Sequence, residues 1–133
     1  MSHQSSIACK IRSIEALKKA CAAMRLTLTE AKSYRGYSQS FPCDYVIKLK
    51  DSPYEVGVIK NQDGTYDLKT DFWAGKVARE IGENCGLLLQ EAAAQAAIEA
   101  AQMRGVSVYR TYDYEAGEVV LELEEPEELQ AQL

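Results

Sequence analysis

Histidine is almost missing from this chain: His3 is the only one among 133 residues. A Ser-His-Asp or Cys-His catalytic set would have to recruit that residue from beside the N-terminus, and an exposed terminal side chain explains it as well. A metal site made of several histidines is excluded within one chain. The four cysteines, Cys9, Cys21, Cys43 and Cys85, include no CxxC pair. That removes the usual spacing of zinc sites and disulfide frameworks and favours buried free thiols. No phosphate loop is present, and no cofactor or metal is expected. No apolar run reaches the roughly 18 residues of a membrane span. The opening MSHQSSIACKIR also lacks a hydrophobic signal core, so the chain reads as cytoplasmic, away from membranes.

Basic residues are missing from the end. Residues 115 to 133 hold seven of the 20 acidic side chains and none of the 15 basic ones. The rest of the chain is close to neutral, without the clustered basic face that nucleic-acid binding needs.

What is present organises itself around Cys43 to Asp71. Tyr45 to Lys50 ends in strand-like alternation, with Leu49 between Lys48 and Lys50. Tyr54 to Lys60 places Tyr54, Val56 and Val58 on one face and Glu55, Gly57 and Ile59 on the other. Asn61-Gln62-Asp63-Gly64 supplies a tight turn, and the return run carries Tyr66 and Leu68 as its inward residues. Before this meander, alternation over Ile7 to Arg12 predicts a strand. Ser13 then caps a helix in which Ile14, Leu17, Cys21 and Met24 share a face. Arg25 to Phe41 reads as a loop with one short strand at most.

After the meander, Asp71 is the expected cap of a helix through Phe72, Trp73, Val77 and Ile81, broken near Gly82. A second helix then runs from about Cys85 to Arg104. Its alanines favour helix but flatten the amphipathic pattern, so no buried face can be chosen. Val106 to Tyr112 and Val119 to Leu123 form a final hairpin. With 47% hydrophobic residues, this is one α+β domain over residues 1–123, followed by an acidic tail at 124–133. It is expected to have a mostly antiparallel sheet with helices on one face.

Several of these segments are similar to the hypothetical-chloroplast-frame thirty-five family. They are Met1-Ser2-His3, Ile11 to Lys18, Leu68 to Trp73, Gly105 to Val108 and Gly117 to Leu121. The similarity spans about Met1 to Leu123. The resemblance implies a domain of unknown function shared by plastids, cyanobacteria, other bacteria and some phages. Its members have no assigned reaction and in some genomes lie beside AAA+ ATPases or a ferredoxin. The chain departs from the family pattern in the long helix, where Ala92, Ala93 and Ala94 replace expected aromatic and basic residues.

Candidate sites follow from residue type. Tyr34, Arg35 and Tyr37 in the loop, and Tyr109, Arg110, Tyr112 and Tyr114 in the last hairpin, interleave aromatic and basic groups. Such mixtures suit protein interfaces or a stacked base with its phosphate, and half-buried strand tyrosines account for them too. Trp73, beside Asp71 and Phe72, is either a core anchor or an aromatic facing a ligand, with the helix start as an anion site. The expected function is a binding or adaptor protein with a protein partner or self-association. A small-ligand binder, of a nucleotide or phosphorylated metabolite held by Arg35 and Arg110, is the alternative. The phage members of the resembled family imply sequestration as its purpose. A thiol-dependent enzyme using Cys43 or Cys85 is the third reading.

Overall fold

The computed structural model describes residues 4–72 and 75–124, residues 4–10 by backbone alone. The chain opens with β1 (Gln4–Ile11), turns into α1 (Ile14–Ala23) and returns in β2 (Thr27–Glu30). Two short strands, β3 (Ser33–Arg35) and β4 (Ser40–Pro42), precede the meander β5 (Tyr45–Lys48), β6 (Val56–Lys60) and β7 (Tyr66–Asp71). Then come α2 (Lys76–Ile81), a 3-10 turn at Glu83–Cys85, α3 (Gly86–Met103), and the hairpin β8 (Ser107–Asp113) with β9 (Glu118–Glu124). The expected α+β class with an antiparallel sheet is what the chain forms.

The principal sheet has the order β1-β7-β6-β5-β2, every pair antiparallel. β1 and β2 occupy opposite edges, so α1 spans the sheet between them. Ser13 starts that helix as expected, its Oγ accepting the Ala16 amide at 3.0 Å. Register puts Tyr45 opposite Val58, Ile47 opposite Val56 and Val58 opposite Leu68. These side chains, with Tyr66, form one face and meet Leu17, Ala20 and Cys21 of α1, Val77 and Ile81 of α2, and Leu88 and Ala92 of α3. The helices therefore share one face, and the core lies between them and the sheet. At the β6–β7 turn Gly64 has φ +86°, and the Asp63 carboxylate accepts both the amide and the hydroxyl of Thr65.

Two expectations need correction. The segment from Arg25 to Phe41 holds more than one short strand: it contributes the edge strand β2 and most of a separate hairpin, β3 with β4, that covers the second face of the sheet. Strands of three residues are too short to display an alternating pattern. Asp71 is not the cap of α2: it is the last residue of β7, paired with Gln4, and α2 begins five residues later behind Gly75. Its carboxylate is fully buried and accepts the Tyr37 amide at 3.3 Å, so it anchors the chain leaving β3.

The anticipated break before the long helix is present. Gly82 sits at φ +85°, and Asn84 and Cys85 both adopt left-handed backbone before α3 begins. Residues 125–133, the rest of the expected acidic tail, lie outside the described residues.

Candidate interaction surface

The two groups of tyrosine and arginine stand on different parts of the fold: β3 packs on β4, β5 and β6, whereas β8 packs on β9 and α3. Within the first group, Tyr34 is only 2% exposed. Its ring lies over Gly57, in space that a β-carbon on that residue would fill, and stacks on Phe41 with centroids 5.5 Å apart. Burial first, then the charges of Cys43 and Asp71, pushes its hydroxyl up to about 12. Tyr34 is thus an anchor for the small hairpin and is removed from the set of contact residues. Arg35 is exposed; its backbone exchanges hydrogen bonds with Glu55, the Arg35 amide reaching Oε1 at 2.7 Å and its carbonyl accepting the Glu55 amide at 2.9 Å. Tyr37 is exposed and meets Tyr54 edge-on. Trp73 lies outside the described residues.

The second group is organised by α3. Register in the last hairpin gives Val108, Arg110, Tyr112, Val119, Leu121 and Leu123 one face, with Ser107, Tyr109, Thr111, Asp113, Glu118, Val120, Glu122 and Glu124 on the other. The first face turns to α3. Val108, Val119 and Leu121 are half-buried there, Gln90 Nε2 donates to the Gly117 carbonyl at 3.3 Å, and Arg110 makes a bidentate pair with Glu91. The guanidinium, with help from Gln95, holds the Glu91 carboxyl below its usual range against the opposing effect of burial. Arg110 is therefore committed within the fold, and the ligand reading that paired it with Arg35 loses one of its two cations.

A depressed carboxyl stabilises the fold above its unfolded pKa and loses that contribution as pH falls through the folded one. Docking of the hairpin on α3 should accordingly weaken on acidification below the ordinary glutamate range, about pH 4. Arg110→Ala should weaken it at neutral pH by about 1 kcal/mol, since the pair is partly solvated. Amide exchange of residues 107–124, followed from pH 6 downward, measures both effects. Unchanged protection in the variant would refute the assignment of this pair as the clasp.

What the pattern of residue types did not show is how much of this region stays uncovered. Among the described residues eight large hydrophobic side chains are exposed, and six of them are Met103, Tyr109, Tyr112, Tyr114, Val120 and Leu123. Met103 and Tyr114 are 89% and 88% exposed. Tyr112 and Tyr114 lie edge to face, centroids 4.9 Å apart. Next to them α3 buries Leu88, Ala92, Ala94 and Ala101 and leaves Ala93, Ala96, Ala97 and Ala100 exposed along one stripe. Met103 and Leu123 could not have been singled out beforehand. Met103 is the last residue of α3 and Leu123 the next-to-last of β9, and both are exposed.

The described cysteine side chains, Cys21, Cys43 and Cys85, are all at least partly buried. Cys21 is buried and pushed up to about 12. Cys43 is raised by burial, then by the charges of Asp44 and Glu55, and its Sγ contacts the Ala31 carbonyl at 3.4 Å. A thiol with so little thiolate at neutral pH is a poor nucleophile. Iodoacetamide should modify folded Cys43 several-fold more slowly than it modifies a free thiol; a faster reaction, read by intact-mass kinetics, would restore the enzyme reading. Cys85 is fully buried. The groups lining two surface hollows are Glu30 to Lys32 with Cys43 and Asp44, and Asp51 and Ser52 with Lys76, Arg79 and Glu80. In the second, Glu80 itself takes the backbone donors, accepting from the amides of Lys50, Asp51 and Ser52. No group of three or more potential metal ligands occurs among the described residues, and none of their helices is long and apolar enough to cross a membrane.

No family model, curated protein or solved structure matches the chain.

Proposed function

We propose that this chain is a protein-binding module that engages its partner through the hairpin β8–β9 and the adjoining end of α3. The observation that carries this reading is the concentration of exposed apolar side chains between Met103 and Leu123. A two-stranded hairpin is marginal by itself, and among the described residues this one packs mainly on α3. Leaving three tyrosines, a methionine and a leucine in water there costs solubility without strengthening the core, and clustered exposure of this kind marks interaction sites. Tyrosine is among the residues that dominate binding energy when covered. The Tyr34 segment, by contrast, offers only Arg35 and Tyr37.

The test compares cellular partners captured by the unmodified chain and by the triple variant Met103→Ser, Tyr114→Ser, Leu123→Ser. All three side chains are mostly exposed, so the fold should persist, which circular dichroism checks. The proposal expects a set of proteins lost with the triple variant and kept with Tyr37→Ser. Identical sets from all three proteins would overturn it.

A further inference from the structure

Resting on that reading, we infer that the partner docks as an extended basic segment added to the open edge of β9, alternating cationic and apolar side chains along its length. Within the described residues each strand of the hairpin is bonded to the other alone. The outer edge of β9 therefore presents a row of backbone donors and acceptors of the kind that strand addition uses.

The side chains beside that edge specify what fits. On the face turned away from α3, β9 shows Glu118, Val120, Glu122 and Glu124 at every second position, all exposed. Opposite them on β8 stand Asp113, Thr111, Tyr109 and Ser107 in that order. No cation belongs to this face, because Arg110, the one basic residue between 107 and 124, faces α3 and is paired with Glu91. An added strand repeats the same two-residue period, so each outward side chain lies beside one of β9, about 5 Å away. Cationic groups at two such positions meet Glu118 and Glu122, and an apolar group between them meets Val120. The Tyr109 ring, whose hydroxyl bonds Glu124, adds a flat apolar surface on the far strand.

The same charges exclude other occupants. Two copies placed outer face to outer face would oppose their carboxylates, and nucleic acid or an anionic lipid surface would be repelled. A charged edge can also serve merely to prevent strand pairing, and that account predicts no binding of any extended peptide.

The probe is a synthetic nonapeptide, KTVTKTVTK, with ETVTETVTE as its acidic counterpart and KKKTTTTVV as a scrambled control, titrated into the isotope-labelled full chain. The expected result is amide shifts confined to residues 107–124 with the alternating basic peptide, weakening as salt is raised. The double variant Glu118→Lys, Glu122→Lys should bind that peptide about a hundredfold more weakly, about tenfold for each reversed charge, and gain affinity for the acidic one. Shifts absent from β9, equal binding of the scrambled control, or indifference to the charge reversal would each overturn the inference. Should captured partners depend on Tyr114 and Leu123 but not on Glu118 and Glu122, the docking surface stands and the basic segment falls.

Discussion

Gly57→Ala is expected to lower the stability of this protein by about 1–3 kcal/mol, an overpacking cost, although the residue lies in a strand where alanine is ordinarily harmless. The new methyl group would enter the Tyr34 ring, whose Cδ1, Cε1 and Cγ all lie within contact distance of that position. Tyr34 cannot move aside freely: it is buried, stacked on Phe41, and held by the backbone bonds between Arg35 and Glu55. Tyr34→Ala should itself cost about 3–5 kcal/mol, the range for truncating a large buried aromatic. On that background Gly57→Ala should cost close to nothing, because the space it needs has been vacated. Urea unfolding of the two single variants and the double variant gives the coupling directly. Additive losses would show that the ring is not seated over Gly57 and that the small hairpin is not fixed to the sheet by this contact.

A second large effect is expected at Glu80. Its carboxylate accepts the amides of three successive residues, Lys50, Asp51 and Ser52, the last two at 3.3 and 2.8 Å. This is a backbone nest filled by the protein's own anion, and it ties α2 to the loop between β5 and β6. With only six residues, α2 has little stability of its own. Removing the acceptor in Glu80→Ala leaves three donors to solvent or to nothing. Because Ser52 is half-buried and Lys50 exposed, the cost should be about 1–3 kcal/mol rather than the sum of three lost bonds. Glu80→Gln keeps one oxygen of the same reach and should lose less than half as much. Equal stability of the alanine variant, or unchanged exchange of the three amides, would contradict this role.

The meander was readable in advance because its information is local. Alternation of Val56, Gly57 and Val58, the Asp63-Gly64 turn and the inward pair Tyr66 and Leu68 fix both strands and register with no reference to the rest of the chain. Ser13 and Gly82 marked a helix start and a helix break for the same reason. Structure and sequence pattern part where distant residues decide the outcome. By residue type Tyr34 suits either a contact surface or a buried strand position, and a glycine 23 positions away, which leaves room for its ring, decides between them. Asp71 resembled a helix cap because the residues after it are apolar, yet pairing with β1 extends β7 through it.

The same division runs through the interaction surface. That the last hairpin carries a mixture of tyrosine and arginine was evident from residue types, whereas the partner of Arg110 lies 19 residues earlier on a helix whose faces alanine had made indistinguishable. Only the packing of α3 between the core and the hairpin shows that Ala94 and Ala101 are covered while Ala93, Ala96, Ala97 and Ala100 are not. The acidic side chains of β9, first visible as a compositional bias, acquire a direction once register places Glu118, Glu122 and Glu124 on one face.

The most direct measurement is hydrogen exchange of the full chain, alone and with a captured partner bound. Binding through the last hairpin predicts added protection over residues 107–124 and the C-terminal half of α3, with the main sheet and β3–β4 unchanged. Protection appearing instead at the segment 33–42 or around Lys50 to Ser52, with the hairpin unaffected, would contradict the central claim.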